Sequence, residues 1–178
     1  MAGRLVLVVG PSGAGKDTLI AAAKTALAGD DRYVFPKRII TRHAVPTTED
    51  HDSVSPERFA ELKQAGAFAL DWGAHGLNYG LPARLNEDLA AGRTVVVNGS
   101  RAAVKEARRR FAALTVLLID ASTEVRSARL AGRGRETASE IAERLGREVP
   151  DALPGAVRVD NSGALADGVA AFLAALSA

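Results

Sequence analysis

The chain has 178 residues, 47% hydrophobic and 25% charged, enough for one domain with a full core. Its 23 Lys and Arg against 21 Asp and Glu give a net charge of +2, and aromatics are only 4%, too little charge and stacking surface to mark a nucleic-acid binder. The absence of Cys excludes disulfides, zinc–thiolate sites and thiol nucleophiles, and no apolar run is long enough to span a membrane.

Arg4 to Val9 reads as a strand, apolar after its first residue and therefore covered on both faces. This pattern begins within a few residues of Met1, so no signal peptide is expected and a cytoplasmic location is the default. Gly10-Pro11-Ser12-Gly13-Ala14-Gly15-Lys16 follows and opens through Asp17-Thr18 into an Ala-rich helix from Lys16 to Ala28. A strand, a glycine loop ending in Gly-Lys and a helix form the pattern of a phosphate-binding loop. The glycines let backbone N–H groups turn inward on phosphate oxygens, Lys16 adds a point charge, and the helix N-terminus adds its dipole. The residue after that lysine is normally a Ser or Thr that ligates magnesium. Here it is Asp17.

Tyr33 to Ile40 resumes a strand pattern, with Pro36 predicting an edge or an irregular start. It delivers Arg38, and Arg42 lies four residues on. If the strand ends between them, both guanidinia can converge on one phosphate; the alternative is two solvated surface arginines. His43 to Ser53 is polar. Ser55-Pro56 opens a helix to about Ala65, with an N-cap serine and an N1 proline. Phe68 to Trp72 and Leu77 to Gly80 flank Gly73-Ala74-His75-Gly76 and predict a hairpin, before a helical stretch from Pro82 to Ala91. Thr94 to Val97 is a second β-branched strand, running into Asn98-Gly99-Ser100-Arg101 and a basic helix from Ala102 to Phe111. Leu114 to Ile119 is a third buried strand ending in Asp120, and Ser122 caps a helix that stops near Gly132. Arg133-Gly134-Arg135 comes next, and a capping box from Thr137 to Glu140 starts the helix that carries Arg144. Ala156 to Asp160 and Leu165 to Leu176 close the chain as strand and helix.

Strands alternating with helices predict an α/β fold with a central parallel sheet covered on both faces. We expect a single domain with its core in residues 1–37 and 92–178, and an acceptor-binding insert over about 38–91 that breaks the rhythm. Ligands in such sheets sit beyond the C-terminal strand ends, where the phosphate loop, Arg38, Arg42, Asn98 to Arg101 and Asp120 are expected. Their sum is cationic, which suits an acceptor that itself carries phosphate. Arg133, Arg135 and Arg144, over about 133–147, read as an Arg-rich lid that spreads positive charge over a transferring phosphoryl group. The other reading is a basic helix C-terminus favoured by its dipole. A metal-binding carboxylate is usual at the end of the second buried strand, and that position is Asn98. The anionic charge is thus relocated, with Asp17 the expected Mg²⁺ ligand. Asp120 is a backup, equally readable as a cap. His43, His51 and His75 have no metal-ligand spacing and read as polar loop residues.

Taken together, these residues resemble the guanylate kinase family across nearly the whole chain. The matches are Gly10 to Lys16, Thr41-Arg42, Phe68 to Asp71 and Tyr79-Gly80. They continue with Arg129-Leu130-Ala131-Gly132-Arg133-Gly134, Glu143-Arg144-Leu145 and Val159-Asp160-Asn161. The resemblance implies a P-loop NTPase core with an acceptor-binding insert and a lid. Guanylate kinases read guanine with a Ser or Thr after Tyr-Gly, a Glu before the hairpin turn and Asp residues after the middle strand. Here those positions hold Leu81, Asp71 and Asn98, which leaves guanine's donor edge short of acceptors. The chain is instead similar to the ribose 1,5-bisphosphate phosphokinases, through Gly15-Lys16-Asp17, Arg38-Ile39-Ile40-Thr41-Arg42 and Glu49-Asp50-His51. Asn78-Tyr79-Gly80, Val96 to Arg101 and Gly134-Arg135-Glu136 complete that set.

That resemblance implies ATP- and Mg²⁺-dependent phosphorylation of ribose 1,5-bisphosphate to 5-phosphoribosyl 1-diphosphate, in phosphonate breakdown. It implies catalytic roles for Lys16, Arg133, Arg135 and Arg144. ATP falls to Gly10, Pro11, Ser12, Gly13, Ala14, Gly15, Lys16, Asp17 and Thr18, with Asp17 on the metal. Arg38, Arg42, Asp71, Tyr79, Asn98, Ser100 and Arg101 are the candidate acceptor contacts. The expected partner is a small sugar bisphosphate, with no nucleic acid and no membrane; a homodimer is left open. Two rivals stand beside this reading. One is a guanylate kinase or other nucleoside monophosphate kinase. The other is a non-catalytic guanylate-kinase-like binding module, against which the intact Gly15-Lys16 and the lid arginines argue.

Overall fold

Three runs of β-branched and leucine residues form the centre of the molecule. The computed structural model describes residues 3–42, 51–132 and 153–178. Its elements are β1 (Arg4–Val9), α1 (Lys16–Ala26), β2 (Tyr33–Val34), β3 (Arg38–Ile40), β4 (His51–Ser53), α2 (Pro56–Gln64), β5 (Phe68–Ala74), β6 (Leu77–Pro82), α3 (Leu85–Ala90), β7 (Thr94–Asn98), α4 (Arg101–Arg110), β8 (Leu114–Asp120), α5 (Thr123–Gly132), β9 (Val157–Asp160) and α6 (Leu165–Ser177). One sheet has the order β2-β7-β1-β8-β9, and all its pairings are parallel.

Strand alternation divides the apolar residues of that sheet between two cores. Leu5, Leu7 and Val9 pack with Val95, Val97, Val116 and Leu118 on one side. Val6 and Val8 pack with Val96, Leu117 and Ile119 on the other, covered by Leu19 and Ala23 of α1 and Phe172 and Leu176 of α6. Both faces are therefore dry, which is why these strands read as unbroken apolar runs. Among the described residues, no helix is long and apolar enough to cross a membrane.

The stretch Tyr33 to Ile40 is two strands rather than one. Pro36 has no N–H to give to a ladder, and the chain breaks around it. β2 stays as an edge of the parallel sheet, while β3 joins a second sheet ordered β4-β3-β6-β5. There β3 runs parallel to β4 and antiparallel to β6. β4 lies in a segment that reads only as polar. It is an edge strand with Asp52 and Ser53 exposed, so no apolar alternation marks it. Residues 43–50 and the expected capping box at Thr137, with its helix, lie outside the described residues.

Local signals hold elsewhere. Ser55 Oγ accepts from Arg58 N at 3.1 Å, and Pro56 occupies the first helical position of α2. The β5–β6 hairpin turns through His75 and Gly76, with φ of 53° and 73°. Two left-handed residues in a two-residue loop match the twist of the flanking strands.

The helix α6 reaches the phosphate loop through one tight contact. A Cβ on Gly168 would lie 2.2 Å from Asn161 Oδ1, and Asn161 Nδ2 donates to Ala14 O at 2.7 Å. Replacing a helical Gly by Ala ordinarily stabilises by about 1 kcal/mol, but overpacking costs about 1–3 kcal/mol. Asn161 is held at its far end and cannot retreat, so overpacking prevails. Gly168→Ala should lower the thermal midpoint by a few degrees and weaken ATP binding, read by thermal unfolding and nucleotide titration.

Candidate active site

The carbonyls of the loop between β1 and α1 are engaged by its own lysine and by side chains that arrive from other elements. Gly13 and Gly15 sit in the left-handed region, at φ 80° and 92°. Gly15 is also the N-cap of α1 and offers no side-chain cap, so the first N–H groups of the helix remain for an anion. Lys16 Nζ donates to Gly10 O at 2.8 Å and Pro11 O at 3.1 Å. Arg126, only 3% exposed, donates through Nε to Ser12 O at 3.1 Å. Arg129, one turn on, reaches Gly13 O and Ala14 O at 3.5 and 3.4 Å and Asn161 O at 2.9 Å. Sequence reasoning noticed Arg129 and Asn161 only within longer motifs and missed Arg126. The one available signal was the i, i+3 spacing of two arginines on a helix that follows a buried strand.

Asp17 and Asn98, both departures from the usual pattern, touch. Asn98 is the last residue of β7 and pairs with Val8 of β1. Its Nδ2 donates to Asp17 Oδ1 at 2.5 Å, while its Oδ1 is buried without a hydrogen-bond partner among the described residues. Ser100 stands at the N-cap of α4, yet its hydroxyl makes no cap bond and is also buried and unpartnered. Asp120 is committed elsewhere: Oδ1 accepts from Ala121 N at 2.9 Å and Oδ2 from Arg158. In the turn after β9, the Ser162 hydroxyl and N–H hold the Asp160 carboxyl below the ordinary carboxylate range.

A magnesium ion takes oxygen ligands, keeps several waters and usually needs only one or two carboxylates beside substrate phosphates. Asp17, in the first turn of α1 beside Lys16, fits that demand. Among the described residues, no three His, Asp or Glu side chains converge as an all-protein metal cage.

A cavity of about 90 Å³ opens between α1, β7 and the connection from β2 to β3. Asp17, Asn98 and Arg38 line it together with Lys24, Lys37 and Phe35. Among the described residues, the charged groups of the lining are thus Lys24, Lys37, Arg38 and Asp17. The two lysines belong to no motif, and only the fold brings them here.

Arg38, 8% exposed, places its guanidinium 5.1 Å from the Tyr79 ring centroid. Tyr79 in turn lies 5.4 Å from Trp72 with the rings 6° from parallel. The stack crosses β3, β6 and β5, and a desolvated cation over an aromatic face gains about 2 kcal/mol. β3 ends at Ile40, between Arg38 and Arg42, and Thr41 is pinned to Asn78 by bonds of 3.0 and 2.8 Å. Arg101 opens α4 directly after Ser100.

Asp71 is not brought to this face. It pairs with Gly80, whereas its neighbour Trp72 pairs with Tyr79, so alternation turns Asp71 to the side covered by α2. There Lys63 Nζ meets Asp71 Oδ2 at 2.5 Å, and Phe59 stacks on Phe68 at 4.6 Å. The position beside Trp72 and Tyr79 belongs to Leu70, fully buried opposite Leu81. Arg133, Arg135 and Arg144 lie outside the described residues.

No family model matches the sequence. Among solved structures, guanylate kinase from Anaplasma phagocytophilum superposes with a TM-score of 0.69 at 15% identity, covering 99% of this chain and 84% of that one. At that identity the likeness establishes the fold alone. Among curated proteins, ribose 1,5-bisphosphate phosphokinase PhnN of Brucella melitensis is 50% identical over 173 residues, 96% of this chain and 90% of that protein. The protein of the same name from Acidiphilium cryptum is 51% identical over 174 residues, 98% and 92% of the two chains. A phosphate loop followed by Asp17, a strand ending in Asn98 and near-complete coverage by such relatives place the chain in the ribose 1,5-bisphosphate phosphokinase family.

Proposed function

We propose that the protein transfers the γ-phosphoryl group of ATP to the 1-phosphate of ribose 1,5-bisphosphate, giving 5-phospho-α-D-ribose 1-diphosphate, as a cytoplasmic enzyme of phosphonate breakdown. The observation that carries this reading is the contact of Asp17, directly after the loop lysine, with Asn98 at the end of β7, in a cleft that Arg38 also lines. An acceptor that itself bears phosphate suits a cleft where a guanidinium stands beside the phosphate loop. Leu70 and Leu81 are fully buried, so neither offers a hydrogen-bond acceptor to the donor edge of a purine.

One oxygen of the 1-phosphate attacks the γ-phosphorus. An O–P bond forms as the bond from phosphorus to the bridging oxygen breaks, and the electron pair leaves with ADP. The second pKa of a phosphate is about 6, so the attacking oxygen is already anionic near neutral pH and needs no general base. Catalysis then rests on positioning and charge. The loop amides and Lys16 hold the donor phosphates, with Lys16 exchanging the carbonyls of Gly10 and Pro11 for phosphate oxygens. Mg²⁺ held by Asp17 and those oxygens would supply the neutralisation of developing charge. Arg133, Arg135 and Arg144 complete the cationic surround as a lid. Arg38, Arg42, Tyr79 and Arg101 are assigned to the acceptor's phosphates, and Asn98 and Ser100 to its ribose or bridging oxygens.

The deciding assay offers labelled ATP with ribose 1,5-bisphosphate, ribose 5-phosphate and GMP in parallel, with the product identified by mass. Turnover should be confined to ribose 1,5-bisphosphate; equal or better kcat/KM with GMP would establish a nucleoside monophosphate kinase instead. A charge-assisted hydrogen bond contributes about 1.5–3 kcal/mol, so Arg38→Ala should reduce kcat/KM for the acceptor roughly 10- to 150-fold with the KM for ATP unchanged. Trp72, the one tryptophan of the chain, stacks on the ring beneath Arg38. Its emission should change on adding acceptor to the parent. An Arg42→Ala variant that kept both acceptor KM and kcat would remove Arg42 from the site.

A further inference from the structure

The amide of Asn98 has only one way to lie. Facing Asp17 Oδ1 at 2.5 Å, it presents its NH₂, because the reverse orientation would set two acceptors against each other. The carboxylate therefore turns the amide oxygen away from itself. Among the described residues, that oxygen is buried and has no hydrogen-bond partner, a condition that buried polar groups rarely keep without a water, an ion or a ligand to relieve it.

The oxygen can only accept. Ionised phosphate groups also only accept, and so do the bridging and ring oxygens of a sugar phosphate. None of them can partner Asn98 Oδ1, whichever substrate carries them. In ribose 1,5-bisphosphate, ionised at both phosphates, the hydroxyls at carbons 2 and 3 are the groups that carry a transferable hydrogen. Ser100, two residues on and also unpartnered, imposes no such choice, since a hydroxyl both donates and accepts.

We propose that Asn98 Oδ1 accepts a hydrogen bond from a ring hydroxyl of the acceptor sugar, with Asp17 as the group that orients it. Asn98 is then the residue that separates ribose from its deoxy analogues. The proposal rests on reading the cleft as the acceptor site and settles one choice within it, a hydroxyl rather than a bridging oxygen. A site built to pair a substrate hydroxyl rejects the analogue lacking it far more strongly than a site of apolar fit does.

The test compares ribose, 2-deoxyribose and 3-deoxyribose 1,5-bisphosphates at pH 8 and saturating MgATP, with the parent and with Asn98→Ala. Binding of each sugar is read separately through Trp72 emission. For the parent, one deoxy sugar should lose at least tenfold in kcat/KM and in affinity. In Asn98→Ala the ratio between that sugar and ribose should fall to near one, because the value for ribose itself drops. Asn98→Ser provides the same ratio should the alanine variant fail to fold. The proposal is overturned if the parent treats both deoxy sugars like ribose, or if the ratio survives the substitution. A fall in MgATP affinity with the ratio intact would assign the oxygen to a metal-bound water and also overturn it. If the parent turned over no ribose 1,5-bisphosphate, the proposed function would fail, and the affinity ratio would still decide the role of Asn98.

Discussion

Every carbonyl and amide in a buried turn needs a partner, and the phosphate loop meets that demand asymmetrically. Its carbonyls go to Lys16, Arg126, Arg129 and Asn161; Ala14 N turns back to Pro11 O at 3.3 Å, and Gly15 leaves the first N–H groups of α1 without a side-chain cap. The sheet order explains where these side chains come from. β8 and β9 follow β1 in the sheet, so the helix after β8 and the turn after β9 both arrive beside the loop. Asn161 N donates to Asp120 O at 2.7 Å, and Arg158 pairs with Asp120, tying the ends of β8 and β9 together. The loop is held from behind by elements that lie far from it in the chain.

Placing a carboxylate directly after the loop lysine changes what the neighbouring strand can carry. In the first turn of α1, Asp17 lies where the helix dipole favours negative charge, by about 0.3–1 kcal/mol. A second carboxylate at the end of β7 would stand against the first at hydrogen-bond distance, and like charges so close cannot both ionise freely. An amide resolves the conflict: Asn98 matches the shape of aspartate, donates to Asp17 and adds no charge. The substitution after Lys16 and the substitution at the strand end are therefore one change, expressed at two positions.

The central strands, the Ser55 cap and the β5–β6 hairpin were legible because each is fixed by residues within a few positions of itself. What stayed hidden was non-local. Pro36 announces a break, but nothing near it says that the two halves join different sheets. β4 is polar because it is an exposed edge, and an edge has no inward face to betray it. Asp71 shows how one residue of parity decides a site: a shift of one in a strand moves a side chain to the opposite face, and Leu70 takes the position beside Tyr79 and Trp72. Asp17 and Asn98 were each conspicuous as departures, yet they lie 81 residues apart, and only the parallel pairing of β1 with β7 brings them into contact.

The break at Pro36 also determines the acceptor side. A strand advances about 3.3 Å per residue, so a chain running straight on from Val34 would carry Arg38 about 13 Å along the sheet edge, past the end of β7 at Asn98. Turning at Phe35-Pro36-Lys37 instead folds the next strand back as part of the second sheet, and Arg38 then faces Asp17 and Asn98 across one cleft. Once there, the cation is shielded from water and must be held by something other than solvent. The Tyr79 ring, itself backed by Trp72, serves that purpose. A ring holds a guanidinium by its face, and the in-plane N–H groups of an arginine are the ones whose geometry matches a phosphate.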